Sequence, residues 1–189
     1  AVSHSFDVSL GVPIARVLYP AELPYVYLNQ SVQLVLVNPV LLVLMELGGG
    51  SGLLALALAA LGADVTTTDA APVVPHLRKT IDANADSVPR TPTVAALDWR
   101  DDVDVGAFPV VVASDVLVCV QWAEDVARVL AAVAAEARLV VVATQRRRDG
   151  VARFLEAAAA HFTVEELRED SFHPDYYHHD LQVLVLAPR

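Results

Sequence analysis

One cysteine, Cys119, in 189 residues leaves no partner for an intrachain disulfide and suits a reducing compartment. It reads as a small buried hydrophobe rather than a nucleophile. Basic charge is also scarce, with 13 Lys and Arg against 23 Asp and Glu and a net charge of −10. That balance argues against a nucleic-acid partner, because phosphate binding needs a basic face to release counterions, and it favours a basic protein surface instead. The one basic cluster, Arg146-Arg147-Arg148, is too short to override it and reads as a solvated loop at a strand end. Long apolar runs are missing as well. Hydrophobic residues make up 55% of the chain and mean hydropathy is +0.47, yet no run reaches the length of a membrane span. The densest stretch, Ser31 to Met45, is broken at Asn38-Pro39, and no basic region with a cleavage site opens the chain. A soluble, cytoplasmic chain is expected, with the nucleus as a second compartment. A metal-ligand pattern is absent too: the spacing of His173, Asp175, His178 and His179 fits no usual set and reads as a solvated or substrate-facing loop.

What is present is concentrated. Four of the eight glycines fall at positions 48, 49, 50 and 52. Before them, Leu41 to Met45 with Leu47 reads as a short strand buried on both faces, since no polar alternation marks a solvent side. After them, Leu53 to Leu61 is built of Ala and Leu, which favour a helix, and Gly62 supplies the stop. Strand, glycine turn and helix aim backbone N–H groups and a helix N-terminus at one pocket, the usual place for the polar part of a nucleotide-like ligand. The spacing narrows the ligand. Counting from Gly48 and Gly50, the third glycine of a G-x-G-x-x-G dinucleotide fingerprint would fall on Leu53, and no Gly-Lys-Ser/Thr of a phosphate loop exists. The pattern that fits is E-x-G-x-G-x-G, from Glu46 to Gly52.

Further along, strands are expected at Ala63–Thr68, Thr93–Leu97, Phe108–Ser114 and Arg138–Thr144, with helices at Pro72–Ala85, Ala123–Glu136 and Gly150–His161. Val12–Leu18 is a weak strand candidate, and Asn29–Val37 is ambiguous between strand and capped helix. The last two strands, Thr163–Glu169 and Leu181–Ala187, are joined by too short a loop for a crossover helix and should pair antiparallel. The fold class is therefore α/β: a Rossmann-like, doubly wound, seven-stranded sheet, mostly parallel with a C-terminal antiparallel hairpin. In such sheets ligands bind beyond the carboxyl ends of the strands. Asp69, Asp98 and Asp115 all fall there, where a row of carboxylates has no evident stabilising purpose.

The E-x-G-x-G-x-G stretch resembles motif I of the class I S-adenosylmethionine-dependent methyltransferases. Together with TTTDA, ALDW, VVASDVLVCVQWAEDV, VVVATQRRR and FLEAAAAHFTVEEL, it makes the chain from about Leu41 onward similar to the eukaryotic seven-β-strand protein-lysine methyltransferases, methyltransferase family 16. The resemblance implies that Gly48, Gly50 and Gly52 wrap the methionine and ribose part of S-adenosylmethionine, with Glu46 near its ammonium end. It implies that Asp69 accepts both ribose hydroxyls, that Asp98 and Trp99 receive the adenine, and that Ser114 floors the transfer site. Asp115 becomes the catalytic residue. Residues 41–189 would form the methyltransferase domain and residues 1–40 an extension packing on it, with the chain a monomer and its partner a protein presenting a lysine. Two departures stand out. The family's aromatic residue three after the aspartate is Val118 here, a place Trp122 could fill, and its Trp before motif I is Tyr25. Three readings therefore remain open: a protein-lysine methyltransferase, a small-molecule methyltransferase, and a cofactor-binding module without activity.

Overall fold

The computed structural model describes residues 43–101, 106–169 and 178–189, together with the backbone of a two-residue antiparallel pairing of Ser3–His4 with Val17–Leu18. Tyr25, the Asn29–Val37 stretch and nearly all of the expected 1–40 extension lie outside the described residues.

Seven strands form one sheet. β1 (Val43–Leu47) is followed by α1 (Leu53–Ala60) and β2 (Asp64–Asp69), then by α2 (Val74–Ala83) and β3 (Thr93–Ala96). β4 (Val110–Ser114), α3 (Ala123–Val133), β5 (Leu139–Gln145) and α4 (Gly150–Ala158) continue the alternation, and β6 (Phe162–Glu166) and β7 (Leu181–Pro188) close it. The sheet order is β3-β2-β1-β4-β5-β7-β6. β1 through β5 pair in parallel, while β7 runs antiparallel to both β5 and β6. The chain reverses direction across the sheet between β1 and β4, so a crevice opens at their carboxyl ends.

Period-two alternation assigns each central strand to two cores. Leu44, Val65, Val110, Val112 and Val141 pack with Leu58, Leu77 and Ile81 on one face. Met45, Leu47, Val111, Val140 and Val142 pack with Val126, Leu130 and Phe154 on the other. The helices supply complementary stripes: Val126, Val129, Leu130 and Val133 of α3, and Val151, Phe154 and Ala158 of α4, recur at the spacing that keeps one helical face inward. Truncating Phe154, which is wholly buried, to Ala would cost about 3–5 kcal/mol. α1 ends as its composition suggests: Leu61 is the C-cap, Gly62 takes φ 95°, and its N–H donates to the Ala59 carbonyl at 2.9 Å.

Candidate functional site

The carboxyl ends of β1, β2, β3 and β4 bring the glycine turn, Asp69, Asp98 and Asp115 to one edge of the sheet. The glycines there divide their tasks. A Cβ on Gly49 would stand 2.1 Å from Thr67 Oγ1, and one on Gly52 would stand 3.0 Å from Leu77 Cδ1, so these positions are bare because the protein itself closes over them. Gly50 differs: at φ 53° its side-chain position meets nothing within 4 Å. That open space near a helix N-terminus leaves room for a ligand to approach the turn. Gly48 lies against Val116 and the Trp99 ring, its own Cβ position 2.7 Å from Val116 Cγ1.

Glu46 sits beneath this turn, almost wholly buried. Thr67 Oγ1 donates to its Oε2 at 2.6 Å, and Thr68 Oγ1 donates to its backbone carbonyl at 3.0 Å. Burial raises its pKa from the ordinary 4.5 to about 7, against the lowering effect of the Thr67 hydroxyl and with a further upward push from the Asp69 charge. The carboxylate therefore supports the turn from below, 3.2 Å from the Gly49 Cβ position.

Asp69 ends β2 and fastens the turn from the side. Its Oδ2 accepts the Gly50 N–H at 2.8 Å and its Oδ1 accepts the Ala70 N–H at 2.8 Å. It is no helix cap, since α2 starts from Val73. Each oxygen keeps a further lone pair for a ligand hydroxyl. Asp98 is forked by Arg100, with Nε on Oδ1 at 2.9 Å and Nη2 on Oδ2 at 2.5 Å, and Oδ1 also accepts the Arg100 N–H at 3.0 Å. These bonds hold its carboxyl well below the usual carboxylate range. Trp99 is half-buried against the α3 core and meets Trp122 edge-on, ring centroids 6.2 Å apart at 76°. Its indole N–H is inaccessible and has no acceptor among the described residues.

Ser114 is the last residue of β4, paired in register with Ala143. Asp115 follows at φ 56°, a conformation that a residue with a Cβ seldom adopts, and its N–H donates to the Ala143 carbonyl at 2.8 Å. Arg148 forks its carboxylate, Nε on Oδ1 at 2.9 Å and Nη2 on Oδ2. Next to it Val118, Val120 and Trp122 are exposed by 41%, 52% and 37%, an unusual run of apolar surface.

The arginine cluster lies where expected, in a turn just past β5 with Arg146 and Arg147 exposed, and its cations are paired: Arg146 with Glu166, Arg147 with Asp180 at 2.6 Å, and Arg148 with Asp115. Two sequence readings need correction. The carboxylate row does have internal partners, since Asp69, Asp98 and Asp115 are each engaged by N–H groups or a guanidinium. Arg148 is thus the site residue that sequence reasoning missed. The available signal was position, three arginines directly beyond the carboxyl end of β5 on the edge that carries the acids. Cys119 is partly exposed rather than buried.

A family model described as lysine methyltransferase matches residues 8–161. The protein N-lysine methyltransferase METTL21A of Xenopus tropicalis is 26% identical over 177 residues, covering 89% of this chain and 80% of that protein. Its Danio rerio counterpart is 26% identical over 130 residues, covering 67% of this chain and 60% of that protein. The chain spans about three fifths of the Danio rerio relative's length. Among solved structures, a TehB-like methyltransferase from Corynebacterium glutamicum superposes with a TM-score of 0.61 at 18% identity, covering 78% of this chain and 80% of that one. Magnesium protoporphyrin IX methyltransferase from Synechocystis gives 0.60 at 20% identity, covering 80% and 72%. The structural likenesses establish the class I methyltransferase fold, and the family match establishes kinship: the chain belongs to the lysine methyltransferase family.

Proposed function

We propose that this chain transfers methyl groups from S-adenosylmethionine to a lysine side chain of a protein substrate. The observation that carries the reading is the pairing of an open cradle at Gly50, fastened to Asp69, with a strained, exposed Asp115 at the end of β4 on the same sheet edge. Gly50 and Asp69 would hold the ribose and methionine part of the donor, and Asp98 and Trp99 would receive the adenine. Glu46 supports the cradle through Thr67. When bound, the donor supplies an electrophilic methyl on a sulfonium; the acceptor nitrogen forms the new N–C bond as the S–C bond breaks, and the electron pair stays on sulfur. Only a neutral amine has the lone pair for this, whereas free lysine has a pKa of about 10.4. The chain's contribution is therefore to orient the amine and favour its uncharged form. Ser114 and Asp115 would serve that task, and Trp122 would supply the channel wall that the aromatic missing at Val118 leaves open. The exposed Val118, Val120 and Trp122 offer apolar contact to a protein substrate. Residues 1–40 would pack on this domain in a monomer.

Val118 favours one other reading, a cofactor-binding module without transfer. Incubation with S-adenosylmethionine labelled in the methyl group and a heat-inactivated cell extract that keeps its small molecules separates the readings. Label recovered as methyl-lysine in protein supports lysine transfer, label only in small molecules replaces the substrate class, and binding without label assigns the inactive module.

A further inference from the structure

We infer that Arg148 is a positioning residue that cancels the charge of Asp115, so that the carboxylate orients the incoming amine without holding it as an ammonium. The inference rests on the lysine-transfer reading above.

A bare carboxylate is a poor neighbour for an amine that must lose a proton. An opposite charge within about 4–6 Å favours the charged form and raises an amine's pKa by about one unit or more. A carboxylate clamped by a guanidinium presents little net charge to a third group, yet its two oxygens retain lone pairs able to accept an N–H. Asp115 is held in that way: Arg148 Nε and Nη2 take both oxygens, the planar two-point contact that arginine alone makes.

The geometry is fixed from both sides. Asp115 is set by its bond to Ala143. The Arg148 N–H donates to the Gln145 carbonyl at 3.0 Å, and its carbonyl accepts the Val151 N–H at 3.1 Å. Gly150 seals the two segments together: a Cβ there would lie 2.7 Å from the Leu117 carbonyl oxygen and 3.1 Å from that of Cys119. The Arg148 side chain is 28% exposed and that of Asp115 45%, so the carboxylate's side chain is the more open of the two. The charges nearby are otherwise engaged. Asp180, which also attracts Arg148 and lies beside His178, is held by Arg147; Glu166 is held by Arg146; and Glu124 of α3 is held by Arg153. Among the described residues Arg148 is the cation that reaches Asp115. The proton leaves the amine to water before the methyl is transferred, and Arg148 and Asp115 keep their charges throughout.

The test compares the parent chain with Arg148→Gln and Arg148→Lys in single-turnover methyl transfer across pH. The acceptor probe is the extract protein that the parent labels most heavily, purified and saturating. Rates at saturation report groups in the complex, so the acid limb follows the bound amine. Arg148→Gln is expected to move that limb to higher pH by about one unit. Its rate at pH 7 then falls about tenfold and approaches the parent's as pH rises. Arg148→Lys keeps the charge without the fork, so its limb stays near the parent's while the plateau drops. Calorimetric affinity for S-adenosylhomocysteine should change less than about twofold in both. A limb that stays in place in Arg148→Gln, or that moves equally in both variants, overturns the inference. If Arg148→Gln does not melt cooperatively, the Arg148→Lys limb decides alone, and a shift there overturns it. A parent that labels no protein removes the lysine-transfer reading itself and this inference with it, a result distinct from active transfer with an unmoved limb.

Discussion

Replacing Glu46 with Gln should flatten the dependence of stability on pH. Glu46 is buried and its pKa is raised from the ordinary 4.5 to about 7, chiefly because burial penalises its charged form. Between those values the native chain holds a proton that the unfolded chain has released, so stability falls as pH rises, by about 1.4 kcal/mol per unit. The penalty is absent below pH 4.5 and complete above about pH 7. Integrated from pH 5 to pH 8, this one group removes roughly 2–3 kcal/mol. In a chain of this size that corresponds to roughly 5–10 °C of melting temperature. Groups of opposite sign act lower on the scale: Asp98, Glu166 and Asp180 have lowered values, so they stabilise the fold at neutral pH and lose that contribution only in acid. Melting curves at pH 5 and pH 8 for the parent and Glu46→Gln isolate the effect. Any fixed cost from the new amide, whose NH2 replaces an oxygen in a tight site, is common to both pH values and cancels in the difference. The parent should lose roughly 2–3 kcal/mol more than the variant between pH 5 and pH 8. Parallel curves would refute the argument and show Glu46 to be ionised and compensated at pH 5.

Other consequences follow from the same edge of the sheet. Asp69→Ala should weaken S-adenosylhomocysteine binding by roughly 1.5–3 kcal/mol in calorimetry, since it removes a charged acceptor and frees the Gly50 N–H; unchanged affinity would leave Asp69 as a purely structural clasp. Gly49→Ala and Gly50→Ala should separate stability from binding. The first drives a methyl into Thr67 Oγ1 and should lower the melting temperature markedly, whereas the second meets no atom, so beyond the modest cost of a side chain at φ 53° it should act on S-adenosylhomocysteine affinity. S-adenosylhomocysteine should raise the melting temperature by mass action while NAD should not, because the third glycine of the dinucleotide pattern is replaced by Leu53; stabilisation by NAD alone would overturn the donor assignment.

Most of the fold was legible in the sequence because its signals are local. β4 and β5 open on aliphatic runs and β1 is apolar but for Glu46, α1 is an Ala and Leu helix stopped by Gly62, and the short link before β7 announced the antiparallel hairpin. The ends of elements shifted by a few residues where tertiary contacts decide. α3 stops at Val133 rather than Glu136, its last buried position, and α4 stops at Ala158 rather than His161. The positions of the three carboxylates were also legible, since a residue following a parallel strand must lie at the carboxyl edge. Their partners were not. The Asp115–Arg148 and Asp98–Arg100 forks depend on which side chains meet after folding, over 33 and 2 residues of chain respectively. Nor could glycine spacing reveal that Gly49 and Gly52 yield room to Thr67, Leu77 and Ile81 while Gly50, in the same turn, faces open space.

The central claim, transfer to lysine at the Asp115 end of β4, is tested most directly by counting methyl-lysine. Parent and Asp115→Asn chains are incubated with methyl-labelled S-adenosylmethionine and the undialysed extract, label is counted in the protein and small-molecule fractions, and the protein fraction is hydrolysed and separated. Methyl-lysine from the parent and little from Asp115→Asn, with both chains binding S-adenosylhomocysteine about equally, is the predicted result. Label in another residue or only in small molecules, or equal methyl-lysine from both chains, would contradict it.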